Sequence, residues 1–183
     1  MIHHPLSRRD FVGAMTASIA ATWLAGPGLR DLVAADRVLD PSQLRDLDAI
    51  AALIIPTDDT PGAREAHVVE FIDRALGSFA AEQKPLFDAG LADLGTRVAA
   101  RHPGTASFAD LGPGDANALL AGLEAEQSAF FEAARFATIA GFLANPEYGG
   151  NAGKVGWRLI GFEDRFTWQA PFGWYDADAA GSE

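Results

Sequence analysis

Apolar side chains recur at helical spacing through the middle of the chain: Leu44, Leu47, Ile50, Ala51 and Ile54, then Val68, Val69, Phe71, Ile72, Leu76 and Phe79, then Leu86, Phe87, Leu91, Leu94 and Val98. Residues three and four apart share a helix face, so each set predicts an amphipathic helix with one buried stripe. The punctuation agrees. Asp40-Pro41 offers a cap and a first-turn proline, and Pro56 ends the first helix. Thr57-Asp58-Asp59-Thr60-Pro61-Gly62 is turn chemistry, with Thr60 placed to cap and Pro61 to open a second helix over residues 63–79. His102-Pro103-Gly104 closes the third helix, and one turn is expected over residues 107–111. A fourth helix starts at Pro113, and a fifth, rich in Phe and Ala, runs over residues 128–143 until Asn145-Pro146. No segment alternates with β-branched residues. The pattern therefore predicts an all-α, bundle-like domain of about five helices, with no parallel sheet and no repeat.

Beyond Phe142 the pattern changes. Tyr148, Trp157, Phe162, Phe166, Trp168, Phe172, Trp174 and Tyr175 are interleaved with Gly and Pro at neither helical nor strand spacing, which predicts an irregular aromatic C-terminal arm. Large rings are seldom left in water, so the arm must be buried on its own helices or against another chain. The sequence leaves both open.

Composition narrows the function. The 183 residues carry no Cys, which excludes disulfides, thiolate zinc sites, iron–sulfur ligation and covalent haem attachment. The formal charge of −11, with no basic cluster beyond the N-terminus, argues against a nucleic-acid partner. At that N-terminus, Ser7-Arg8-Arg9-Asp10-Phe11 precedes a weakly apolar run over residues 11–24, broken by Gly26-Pro27-Gly28. Arg8, Arg9 and Phe11 in this arrangement are those of a twin-arginine export signal, too short and too weakly apolar for a membrane span. Val33-Ala34-Ala35 fits a cleavage site, so residues 1–35 are expected to be the signal peptide and 36–183 the single helical domain.

Motifs for chemistry are sparse. Gly149-Gly150-Asn151-Ala152-Gly153-Lys154 lacks the strand before it and the Ser/Thr after Lys that a phosphate loop needs. A flavin or nicotinamide fold would require a βαβ unit that the pattern does not contain. His67 and Glu70, three apart on one helix, form at most half a metal site, and His102 suits a helix end. Asp58 and Asp59 resemble an acid pair but lie in a turn, where capping explains them better. No catalytic, cofactor-binding or metal-binding residue is expected in this chain. The twin-arginine route carries folded proteins, often loaded with a cofactor. A chain with no cofactor site has reason to use it when it crosses bound to a loaded partner.

Three stretches together resemble the gluconate 2-dehydrogenase subunit 3 family, the small or gamma subunits of membrane-associated flavoprotein dehydrogenases. They are the signal with Ser7, Arg8, Arg9 and Phe11; the run from Ile54-Ile55-Pro56 through Pro61-Gly62-Ala63 to Asp73; and Gly141-Phe142 followed by Asn145-Pro146-Glu147-Tyr148-Gly149-Gly150-Asn151 and Gly156-Trp157-Arg158-Leu159-Ile160-Gly161-Phe162. His67 departs from the smaller residue that looks usual there. The resemblance implies a non-catalytic subunit that helps fold, stabilise and export a FAD-dependent catalytic subunit of the glucose-methanol-choline type, which oxidises a sugar, sugar acid or glycoside. A cytochrome c subunit would complete the complex, with haem c or an iron–sulfur cluster in the partners, and the twin-arginine translocase would deliver it to the periplasm, membrane-associated through those partners. The expected partner interface joins the turn and helix at Pro56, Pro61 and Phe71 to the arm at Tyr148, Asn151, Trp157, Phe162, Phe166, Trp168, Phe172 and Trp174. The rival expectations are a stand-alone periplasmic sugar-binding protein with stacked aromatics, and an independent enzyme with an unrecognised site.

Overall fold

The computed structural model describes residues 37–165 and Thr167. Among them lie helices α1 (Pro41–Ile54), α2 (Val68–Leu76), α3 (Lys84–Arg101), α4 (Pro113–Ala125), α5 (Ala129–Leu143) and α6 (Val155–Leu159), with no strand. Short 3-10 turns occur at Ala81–Gln83, Phe108–Asp110, Pro146–Tyr148 and Ala152–Lys154. The all-α class expected from the apolar periodicity is what the chain adopts.

α1 begins where the sequence places it. The Asp40 carboxylate accepts the Ser42 and Gln43 amides at 2.8 and 2.9 Å, and the Gln43 side chain accepts the Asp40 amide at 3.0 Å, a complete capping box. Leu47, Ile50 and Ala51 form its buried stripe.

α2 starts five residues later than expected. Gly62 passes so close to the end of α1 that a Cβ there would sit 2.6 Å from the Ile55 carbonyl oxygen. His67 is left-handed at φ 54°, which breaks the helical path, and the Val68 amide reaches back to the Ala63 carbonyl at 3.1 Å. Thr60 does not cap α2. Its amide and hydroxyl both donate to Asp58 Oδ1, at 2.8 and 3.0 Å. The helix also ends at Leu76, leaving Phe79 buried beyond it.

α5 is the central element and touches α1, α2, α3, α4 and α6. Phe130, Phe131, Ala133, Ala134, Ala137, Gly141 and Phe142 are all buried, so it is apolar on several faces, and Glu132, Arg135 and Ile139 mark its open side. Gly90 of α3 admits the Phe130 ring, which meets Phe87 nearly edge-on at 5.8 Å between centroids. Two buried carboxylates tie distant chain to this core. Asp46 accepts the Ala109 amide at 2.9 Å, and Asp73 accepts the Val38 and Leu39 amides at 3.1 and 2.9 Å. No helix among the described residues is long and apolar enough to cross a membrane.

Candidate partner interface

The two stretches expected to form the interface meet in space. After α5 the chain turns back on itself, and the C-terminal carbonyls of α5, which have no partner within the helix, are capped by residues further on. Asn151 Nδ2 donates to the Ala144 carbonyl at 2.9 Å, and the Trp157 indole N–H donates to the Leu143 carbonyl at 2.8 Å. Asn151 Oδ1 accepts the Gly156 amide at 2.8 Å, so one side chain closes a loop over five residues. The Ala152 amide then donates to the Ala66 carbonyl at 3.1 Å, joining this segment to the turn before α2.

Glycines make the approach possible. A Cβ on Gly150 would lie 2.2 Å from the Gly141 carbonyl oxygen, and one on Gly156 would lie 2.0 Å from that of Phe142. Neither position has room for a side chain without displacing backbone. Residues 149–154 form part of this lock, and Lys154 is ion-paired to Asp164 and lies over the Trp157 ring at 5.8 Å.

The described stretch of the arm over residues 155–162 is regular. α6 ends in a left-handed Gly161 whose amide donates to the Arg158 carbonyl at 3.2 Å, while the Phe162 amide donates to the Trp157 carbonyl at 2.8 Å. That is a Schellman ending, and its apolar contact is present as well, since the Trp157 and Phe162 rings lie 5.0 Å apart. The signal was in the sequence: a Gly after Leu159-Ile160, with aromatics at the two positions the motif brings together.

On the other side of the Ala66–Ala152 contact, residues 55–67 form a tightly bonded loop. The Ala63 amide donates to the Ile55 carbonyl at 2.9 Å, and Glu65 Oε2 accepts the Thr57 hydroxyl at 2.7 Å and the Gly62 amide at 2.9 Å. The Thr57 hydroxyl, with the Gly62 amide adding, holds the Glu65 carboxyl below its usual range. The Thr60 amide and then its hydroxyl do the same for Asp58. Asp58 works as a loop staple, as the capping explanation anticipated.

The expected contact residues divide by burial. Pro56, Pro61 and Phe162 are exposed, and Tyr148 and Trp157 are half-buried. Phe71 lies in the core and Asn151 has no exposed surface. Phe166, Trp168, Phe172 and Trp174 lie outside the described residues, as do Arg8, Arg9 and Phe11 of the expected export signal. Two contact candidates were missed: Leu159 and Ile160 are 50% and 59% exposed and adjoin Phe162 at 45%. Together they make a short apolar ridge at the end of α6, flanked by the half-buried Trp157. A second apolar feature is a groove of about 460 Å³ where the end of α1 faces α4 and α5, lined by Leu53, Ile55, Leu120, Phe131 and Ile139 among others.

Among the described residues no three His, Asp or Glu side chains converge as metal ligands. His67 lies 3.7 Å from Glu70, and His102 lies 3.7 Å from Asp115. The family model for gluconate 2-dehydrogenase subunit 3 matches residues 41–164, which span all six helices and the lock between the loop and the arm. Neither a curated protein nor a solved structure matches the chain. With two thirds of its length inside that match, the chain belongs to the gluconate 2-dehydrogenase subunit 3 family.

Proposed function

We propose that this chain is a non-catalytic accessory subunit that binds a FAD-dependent dehydrogenase of the glucose-methanol-choline type, supports its folding and carries it through the twin-arginine translocase to the periplasm. The family description makes the chain one subunit of a multi-subunit dehydrogenase with a catalytic partner. The observation that supports binding of that partner is the exposed ridge of Leu159, Ile160 and Phe162, at the point where the chain continues into five further aromatics, Phe166, Trp168, Phe172, Trp174 and Tyr175. Aromatic and aliphatic anchors of this kind supply most of the energy of protein interfaces. The described residues form no strand, and hence no βαβ crevice that fits a dinucleotide, and the flavin is accordingly assigned to the partner. A cytochrome c subunit, carrying haem, completes the proposed complex as the route for electrons.

Export is tested by the signal itself. Replacing Arg8 and Arg9 by Lys keeps the charge and should leave dehydrogenase activity of the partner in the cytoplasm. Unchanged periplasmic activity would defeat the claim that this chain carries its partner across.

A further inference from the structure

A cavity of about 320 Å³ opens between the chain entering α1 and the outer side of α2. Its lining is Arg37, Leu44, Val69, Glu70, Asp73 and Arg74. Two features of that lining are unusual for this molecule. Asp73 is only 4% exposed, and its Oδ1 takes both backbone amides that bond to it, leaving Oδ2 without a partner among the described residues. A buried acceptor in that condition normally has a donor supplied by something else. Beside it, the exposed Arg37 and the half-buried Arg74 have no carboxylate within ion-pair reach among the described residues, as is true also of Arg101 and Arg158, while the other seven described Lys and Arg side chains find one. Arg74 is laid against the backbone of Gly149, where a Cβ would come within 3.1 Å of its Nη1, so its stem is held in place by the loop after α5. Glu70, the remaining charged group of the lining, lies 3.7 Å from His67.

An acceptor with no donor, beside two guanidinium groups with no carboxylate, all among the described residues, suits a ligand that supplies both. We propose that this cavity binds a carboxylate carried beside a hydrogen-bond donor, with the carboxylate against Arg37 and Arg74 and the donor on Asp73 Oδ2. Resting on the accessory-subunit assignment, the ligand is an aspartate or glutamate side chain of the catalytic partner, whose own backbone N–H supplies the donor. The volume is at the small end of ligand sites, about right for one residue and its flanking peptide groups. Arginine suits the task because its planar fork binds carboxylates with two parallel hydrogen bonds.

The direct probe is N-acetyl-aspartate N-methylamide, titrated into the full chain while amide signals of Val38, Leu39 and Gly149 are followed by NMR. These signals should shift saturably. N-acetyl-asparagine N-methylamide, the neutral analogue, should bind about tenfold more weakly or worse, and so should the acid to Arg74→Gln, as expected for loss of a charge-assisted pair. Arg37→Gln decides if Arg74→Gln melts below the wild type. Equal binding of acid and amide, or no shifts at all, would overturn the site. The partner assignment is read separately by co-purification with the flavoprotein. Arg37→Gln/Arg74→Gln should recover at least several-fold less flavoprotein than the wild type. Undiminished recovery, with probe binding intact, would overturn the partner as the ligand's source. A wild type that recovers no flavoprotein would instead overturn the accessory-subunit assignment.

Discussion

Asn151 is a polar side chain with no exposed surface, and it stands at φ 47°, in the left-handed region that Asn tolerates better than most residues. It satisfies the Ala144 carbonyl and the Gly156 amide at once. Asn151→Ala leaves both groups unpaired and keeps the unfavourable φ, so it should destabilise the chain by about 3 kcal/mol in urea denaturation. A loss under about 1 kcal/mol would mean water replaces both bonds. The glycines give a sharper contrast. Gly156→Ala drives a methyl into the Phe142 carbonyl and should cost about 2 kcal/mol, whereas Gly95→Ala, inside α3 with nothing within 4 Å of the new carbon, should add about 0.5–1 kcal/mol. Thermal melts of the two variants should move in opposite directions, and movement in the same direction contradicts the packing described for α5 and the arm.

At the level of elements, the loop over residues 55–67 and the end of α6 are the parts that face outward in a fixed shape. Asp58 and Glu65 are more acidic in the folded chain than in an unfolded one, so the stability they add is fully present above the usual carboxylate range. It is lost as pH falls through their lowered folded values. The Thr60 and Gly62 amides should therefore lose hydrogen-exchange protection, relative to the intrinsic rate at each pH, in acid before those of α5 do. Equal protection of loop and helix down to unfolding would contradict the role given to these carboxylates. For the ridge, Leu159→Asp with Ile160→Asp should leave the melting curve within a degree or two, because both side chains are mostly in water, and should cut co-purification of the flavoprotein several-fold. Undiminished recovery would remove the ridge from the interface. Helix positions were largely legible in the sequence: α1, α2 and α3 from apolar residues at helical spacing, and α4 and α5 from Pro113, from the Phe- and Ala-rich run, and from the Asn145-Pro146 break. The start of α2 was not legible, since apolar spacing shows neither the close approach of Gly62 to the Ile55 carbonyl nor the left-handed backbone of His67. The candidate interface was legible only as aromatic content, which marks residues that must be buried somewhere, and the hydrogen bond of Trp157 to the Leu143 carbonyl shows that the chain itself holds that ring half-buried.

For the molecule as a whole, the body is one helical core around α5, with the incoming chain pinned to α2 by Asp73 and the outgoing chain pinned to α5 by Asn151 and Trp157. Both ends of the described body are thus held by buried or half-buried hydrogen bonds. A net charge of −11 favours a partner with a basic face and makes association sensitive to salt. The most direct test is to tag this chain, purify it gently from its host at low salt, and record the mass and visible spectrum of what elutes. A larger subunit in defined stoichiometry, with flavin absorption, is the predicted result. A monomer eluting alone, with no flavin and with periplasmic dehydrogenase activity unaffected by its removal, would contradict it.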